Sequence, residues 1–107
     1  MSSNLDKIGM YGGFDWDNGN ATKNLAKHGV RAAMIEALFN REPLIAEDPR
    51  HSRLERRLLA VGQLEAGRWL LVSFTVRLRN GVPLIRPISA RYMHAKEVKI
   101  YEKEDSK

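Results

Sequence analysis

The sequence predicts an α+β fold: two N-terminal helices, a three- to four-stranded antiparallel sheet and a C-terminal helix. Three observations predict it. Apolar residues recur at helical spacing before Pro43 and again after Met93, the intervening runs are rich in Val, Leu and aromatic residues, and short Gly-containing connections join those runs as hairpins. At 107 residues the chain can bury one core but not a second domain with its own cleft. The expected organisation is a loose leader over residues 1–13, one domain over 14–103 and a disordered tail over 104–107.

The leader ends in a short first strand around Tyr11 to Trp16. Asp17 serves as the N-cap of a helix in which Ala21, Leu25 and His28 share a face, and Gly29 just beyond it suits a left-handed C-cap. Val30, Ala33, Met34, Ala37 and Leu38 fall at i, i+3, i+4, i+7 and i+8, one apolar stripe of a second helix that ends at Phe39-Asn40, before Glu42-Pro43. Leu44-Ile45-Ala46, Arg57 to Leu64 and Arg68 to Arg77 read as strands, with Glu65-Ala66-Gly67 joining the last two. Leu70, Val72, Phe74 and Val76 alternate with Trp69, Leu71, Ser73, Thr75 and Arg77, so the second face turns polar toward its end. Arg79-Asn80-Gly81 makes the next turn. Val82 to Ala90 is then a strand whose Pro83 and Pro87 call for an edge position or a bulge at Pro87. Met93, Val98 and Tyr101 space a last helix from Met93 to Lys103.

Composition narrows the function classes. The absence of cysteine removes disulfide scaffolds, thiolate metal sites and thiol nucleophiles. No stretch approaches a membrane span and the N-terminus lacks signal-peptide order, so a cytoplasmic location is expected. A formal charge of +5 favours a polyanionic partner, nucleic acid or an acidic protein.

RNA cleavage without metal needs a base near the 2′-hydroxyl, an acid near the leaving 5′-oxygen and positive donors around phosphorus. Arg57, Arg77, Arg86 and Arg91 stand on strands or strand ends, and guanidinium binds phosphate in a two-pronged way. The structural alternative is that they pair with Glu47, Glu55, Glu65 or Glu97. His28 and His51 are the candidates for proton transfer. Each also has an ordinary reading, His28 as a helix-terminal cation beside Gly29 and His51 as a solvated loop residue. His94 near the start of the last helix faces solvent. No histidine pair has metal-ligand spacing, and neither a phosphate loop nor a nucleophile elbow occurs, so no cofactor or metal is expected.

Several strings, in order, resemble the BrnT family of bacterial type II toxins. Phe14-Asp15-Trp16-Asp17, Asn24-Leu25 and Lys27-His28-Gly29-Val30 are similar to its opening signature. Asp48-Pro49, His51-Ser52, Glu55 and Arg57 are similar to its central loop. Gly67-Arg68, Leu70-Leu71-Val72 and Thr75 resemble the next strand, and Arg86, Ile88-Ser89-Ala90-Arg91, Glu97 and Tyr101 resemble the last strand and helix. The resemblance spans about Phe14 to Glu102. It implies a RelE-toxin-like fold, cleavage of RNA, and neutralisation by a ribbon-helix-helix antitoxin. It carries over Lys27, His28, His51, Glu55, Arg57, Thr75, Arg77 and Arg91, with Glu97 and Tyr101. The family usually has a Lys where Asn20 stands, an acidic residue where Arg50 stands and a more Arg-rich last helix.

The expected function is therefore a metal-independent endoribonuclease toxin. Arg57, Arg77 and Arg91 take the transition-state charge, and His51 or His28 moves protons with Glu55 as orienting partner or base. Lys27, Thr75, Arg86 and Tyr101 contact RNA. The alternatives are a non-cleaving basic module or degenerate toxin that only docks an antitoxin or nucleic acid, and a structural subunit whose contact patch is Trp69 with Leu71.

Overall fold

A computed structural model of the chain describes residues 11–51 and 55–105, with residues 24–27, 51 and 103–105 described by backbone alone. In chain order the elements are α1 (Asn18–His28), α2 (Ala32–Asn40), β1 (Leu44–Glu47), a 3-10 turn (Pro49–His51), β2 (Leu58–Gln63), β3 (Trp69–Arg79), β4 (Val82–Tyr92) and α3 (Ala95–Asp105). The four strands form one sheet in the order β1-β2-β3-β4, every pair antiparallel. This is the expected α+β architecture, with the fourth strand present.

Alternation along β3 separates two faces. Leu70, Val72 and Phe74 are fully buried and meet Leu58 and Ala60 of β2 and Ala90 of β4, while Val30 and α2 cover them. Phe39 of α2 packs edge-on against Phe74 at 5.0 Å and against Phe14 at 5.6 Å between centroids. The stripe expected from the spacing is used at Val30, Met34 and Leu38 but not at its two alanines. Ile35, Leu38 and Phe39 are buried, whereas Ala33 and Ala37 are exposed to solvent to a greater degree, a rotation of about one residue. Burying Ile and Phe removes far more apolar area from water than burying two alanines, and that difference sets the rotation.

The β3–β4 hairpin turns at Asn80 (φ 53°) and Gly81 (φ 79°), two left-handed residues in succession as a type I′ turn requires. Register then slips between Ser73 and Phe74, since Ser73 faces Ser89 but Phe74 faces Pro87. The bulge absorbs Ile88, and β4 is also an edge strand. Both prolines suit it. Pro83 O accepts Gly12 N–H, Ile85 exchanges bonds with Gly13 and Asp15, and Pro87 O accepts the Asn20 amide, so these residues turn their backbone polar groups away from β3. Their missing N–H groups therefore cost the β3–β4 ladder nothing.

The same prolines explain why the expected first strand is only a bridge. Phe14 pairs with Ile85 in parallel, and Ile85, between two prolines, is the N–H on that edge that can extend the ladder. The last helix begins two residues later than expected, with His94 at its N-cap, and continues past Lys103 to Asp105. Trp69 is only 8% exposed, so the Trp69–Leu71 contact patch is not available.

Candidate active site

The second face of the sheet carries Leu71, Ser73, Thr75 and Arg77 from β3 with Arg86, Ser89 and Arg91 from β4, as the register requires. Near the hairpin end it opens into a cleft of about 660 Å³ lined by Glu55, Arg57, Arg77 and Arg86 together with Asp17, Asn20 and Lys23 of the α1 side. Four cationic side chains meet two carboxylates there. Glu55 Oε2 accepts from Arg77 Nε at 2.7 Å and Oε1 from Nη2 at 3.3 Å, a two-pronged pair with both groups partly exposed. The Arg77 guanidinium holds the Glu55 carboxyl below its usual range, with Arg57 and Arg86 adding to the field. Glu55 is thus a fixed anion at neutral pH and a poor proton acceptor.

Arg86 is placed from α1. Its Nη2 donates to Asp17 Oδ2 at 2.9 Å, and Asp15 Oδ2 lies 3.6 Å from Nη1 and 3.0 Å from Arg79. Asp17 is the N-cap that the sequence suggests, accepting the Asn20 N–H at 3.0 Å. Asn20 answers it: its Oδ1 accepts the Asp17 N–H at 2.7 Å, and its Nδ2 donates to Asp15 O and Pro87 O at 3.0 Å each. At 6% exposure, Asn20 is a buried clip joining α1 to the bulged edge of β4. A capping box normally carries Glu or Gln at this third helical position, so Asp-x-x-Asn is the signal available in the sequence. The hydrogen bond from Asn20 also holds the Asp17 carboxyl below its usual range, with Arg86 contributing next.

Thr75, expected to contact RNA, is 2% exposed and donates to Arg56 O at 2.7 Å. It presents no surface to a ligand, and instead anchors the segment carrying Glu55 and Arg57.

The other end of this face is different. Arg91 meets Glu97 through two bonds of 2.9 Å, and Glu97 also accepts the His94 N–H at 2.9 Å, the back-bonded half of a capping box. Arg91 and the His94 N–H bring the Glu97 carboxyl down to about 2. His28, exposed at the C-terminus of α1 before Gly29 (φ 71°), joins Leu71, Ser73, Ser89, Ala90 and Arg91 around a second, smaller pocket of about 80 Å³.

The expected site residues thus separate. Glu55, Arg57, Arg77 and Arg86 share the cleft, and His28 and Arg91 share the pocket. Tyr101 is half-buried on α3 and lines neither. The side chains of Lys27 and His51, and Ser52, lie outside the described residues. Lys23, Asp17 and Asn20 are additions that the sequence does not single out as site residues. Lys23 lies one turn beyond Asn20 on the same helix, a placement that gains meaning only once α1 is docked on β4. Among the described residues, no three His, Cys, Asp or Glu side chains gather as a ligand set, and no helix is long and apolar enough to cross a membrane.

A search of curated proteins finds no match to the chain. The model of the ribonuclease toxins called BrnT, of type II toxin-antitoxin systems, matches residues 16–97, from Trp16 through the cleft and the pocket to Glu97, and the chain belongs to that family.

Proposed function

We propose that this member is an active, metal-independent endoribonuclease that works in the cytoplasm and is neutralised by a ribbon-helix-helix antitoxin. One observation carries the reading: Arg57, Arg77, Arg86 and Lys23 converge on a single open cleft in which Glu55 fixes Arg77 through both carboxylate oxygens. A phosphodiester placed there meets guanidinium donors already oriented toward the charge that grows on its non-bridging oxygens. The 2′-oxygen attacks phosphorus as it loses its proton, the P–O5′ bond breaks and the 5′-oxygen takes up a proton, leaving a 2′,3′-cyclic phosphate. Glu55, held ionised, orients Arg77 rather than moving protons. Of the two candidate histidines, His28 lines the pocket and not the cleft, so proton transfer falls to His51, whose turn precedes Glu55 in the chain. Lys27 and Lys23 steer the RNA backbone along α1.

A second reading has its own observation. Arg77, Arg86 and Arg91 are each already met by a carboxylate, an arrangement that a non-cleaving docking module would keep. Incubating RNA with the purified protein in EDTA separates the two. Fragments ending in cyclic phosphate support the ribonuclease, and intact RNA with soluble, folded protein supports the docking module.

A further inference from the structure

The pocket beside the cleft has chemistry of its own. Ser73 and Ser89 are direct cross-strand partners on the open face, both half-buried, with Cβ atoms about 5 Å apart. Among the described residues neither hydroxyl has a hydrogen-bond partner. Each can donate and accept. Leu71 gives the pocket an apolar wall, and His28 and Arg91 close it.

Charge distinguishes the pocket from the cleft. The cleft lining holds four cations against two carboxylates, with Asp15 beside Arg86 as a third, while Arg91 at the pocket is matched by Glu97 on both prongs. A phosphate is drawn to the excess charge. A nearly balanced recess with an apolar wall and two adaptable hydroxyls suits the edge of an uncharged ring. Spacing agrees. Ser73, opposite Ser89, and Thr75, opposite Arg86, stand two residues apart on β3, about 7 Å along the strand. A nucleotide adjoining the phosphate in the cleft can reach that far.

We infer that Ser73, Ser89 and Leu71, flanked by His28 and Arg91, form a nucleobase subsite that sets the sequence preference of the cleft. The inference rests on the ribonuclease reading for its consequence in cleavage, but not for its binding.

The test uses single-stranded RNA oligomers that differ at one nucleotide at a time. Anisotropy gives their affinities and end-mapping gives the cut sites, for the wild type, Ser73→Ala/Ser89→Ala and Ser73→Thr/Ser89→Thr. The wild type is expected to prefer one base at one position by about 10-fold or more. The alanine pair should bring that preference within about 2-fold while leaving affinity for the weakest oligomer unchanged, and the threonine pair, which keeps the hydroxyls, should retain part of it. Base-selective binding without cleavage would support the subsite and overturn the ribonuclease reading. Cleavage with a preference unchanged in the alanine pair would do the reverse. A wild type that binds all oligomers alike, or binds none, would overturn the subsite.

Discussion

The two ends of the open face are held by opposite means. At the cleft end, α1 is locked to β4 by Asn20, a buried amide with its oxygen and both N–H groups engaged. At the pocket end, α3, like α1 eleven residues long, is tied to the sheet through the Arg91–Glu97 pair, whose side chains are about a third exposed. A buried polar group that loses its partners cannot recover them from water, whereas an exposed ion pair exchanges its partner for solvent at little cost. The cleft is therefore built on the rigid end, where arginines must be pre-positioned. The pocket adjoins Arg91, the residue whose exposed pair ties α3 to the sheet.

The largest effects should come from breaking the cleft end. Arg77→Ala is expected to lower RNA cleavage by about 10²-fold or more while shifting Tm by only a few degrees, because the pair it removes is partly exposed and leaves no core cavity. A melting shift large enough to account for the lost activity would assign Arg77 to structure alone. Asn20→Ala should cost about 2–3 kcal/mol by stranding Asp17 N–H, Asp15 O and Pro87 O together. For a domain of this size that is a fall in Tm on the order of 10 °C, readable by calorimetry.

Breaking the pocket end should do far less. Glu97→Gln is expected to cost at most about 1 kcal/mol in global stability while hydrogen exchange of α3 amides quickens selectively. Acid sharpens the contrast. The folded pKa of Glu97 lies below its usual 4.5, at about 2, so its stabilising effect is complete above pH 4.5 and is lost as pH falls through about 2. The α3 signals in NMR spectra should hold at pH 3 and weaken toward pH 2 in the wild type, with no such step in Glu97→Gln.

The smallest effect lies outside both ends. Glu42 follows α2 with φ 56°, and Glu42→Gly should raise stability by only about 0.3 kcal/mol, because relief of the left-handed strain is largely offset by the added freedom of an unfolded Gly. A loss of stability there would show that Glu42 makes a contact worth more than its backbone strain.

Local chemistry makes much of this chain legible in its sequence. Asp17 and Gly29 bound α1 at the residues their capping preferences indicate, Asn80-Gly81 turns the hairpin, and period-two alternation places Leu70, Val72 and Phe74 in the core. Each follows from interactions within a few residues, which a sequence displays directly. The family strings likewise point to a type II ribonuclease toxin, and the match over residues 16–97 bears that out. Long-range choices are not legible in the same way. The rotation of α2 depends on which side chains the sheet can bury. The reduction of the first strand to a bridge depends on prolines near the far end of the chain. The bond from Asn20 to Pro87, the meeting of Arg86 with Asp17 and the separation of His28 from the Arg77 cleft exist only because α1 packs on the bulged edge of β4. Sequence alone determined the helices, the hairpins and the apolar face of β3, since propensity, capping and periodicity are short-ranged. Tertiary structure decided which arginines share a cleft and which share a helix anchor, because burial and pairing depend on neighbours that the chain brings together only by folding.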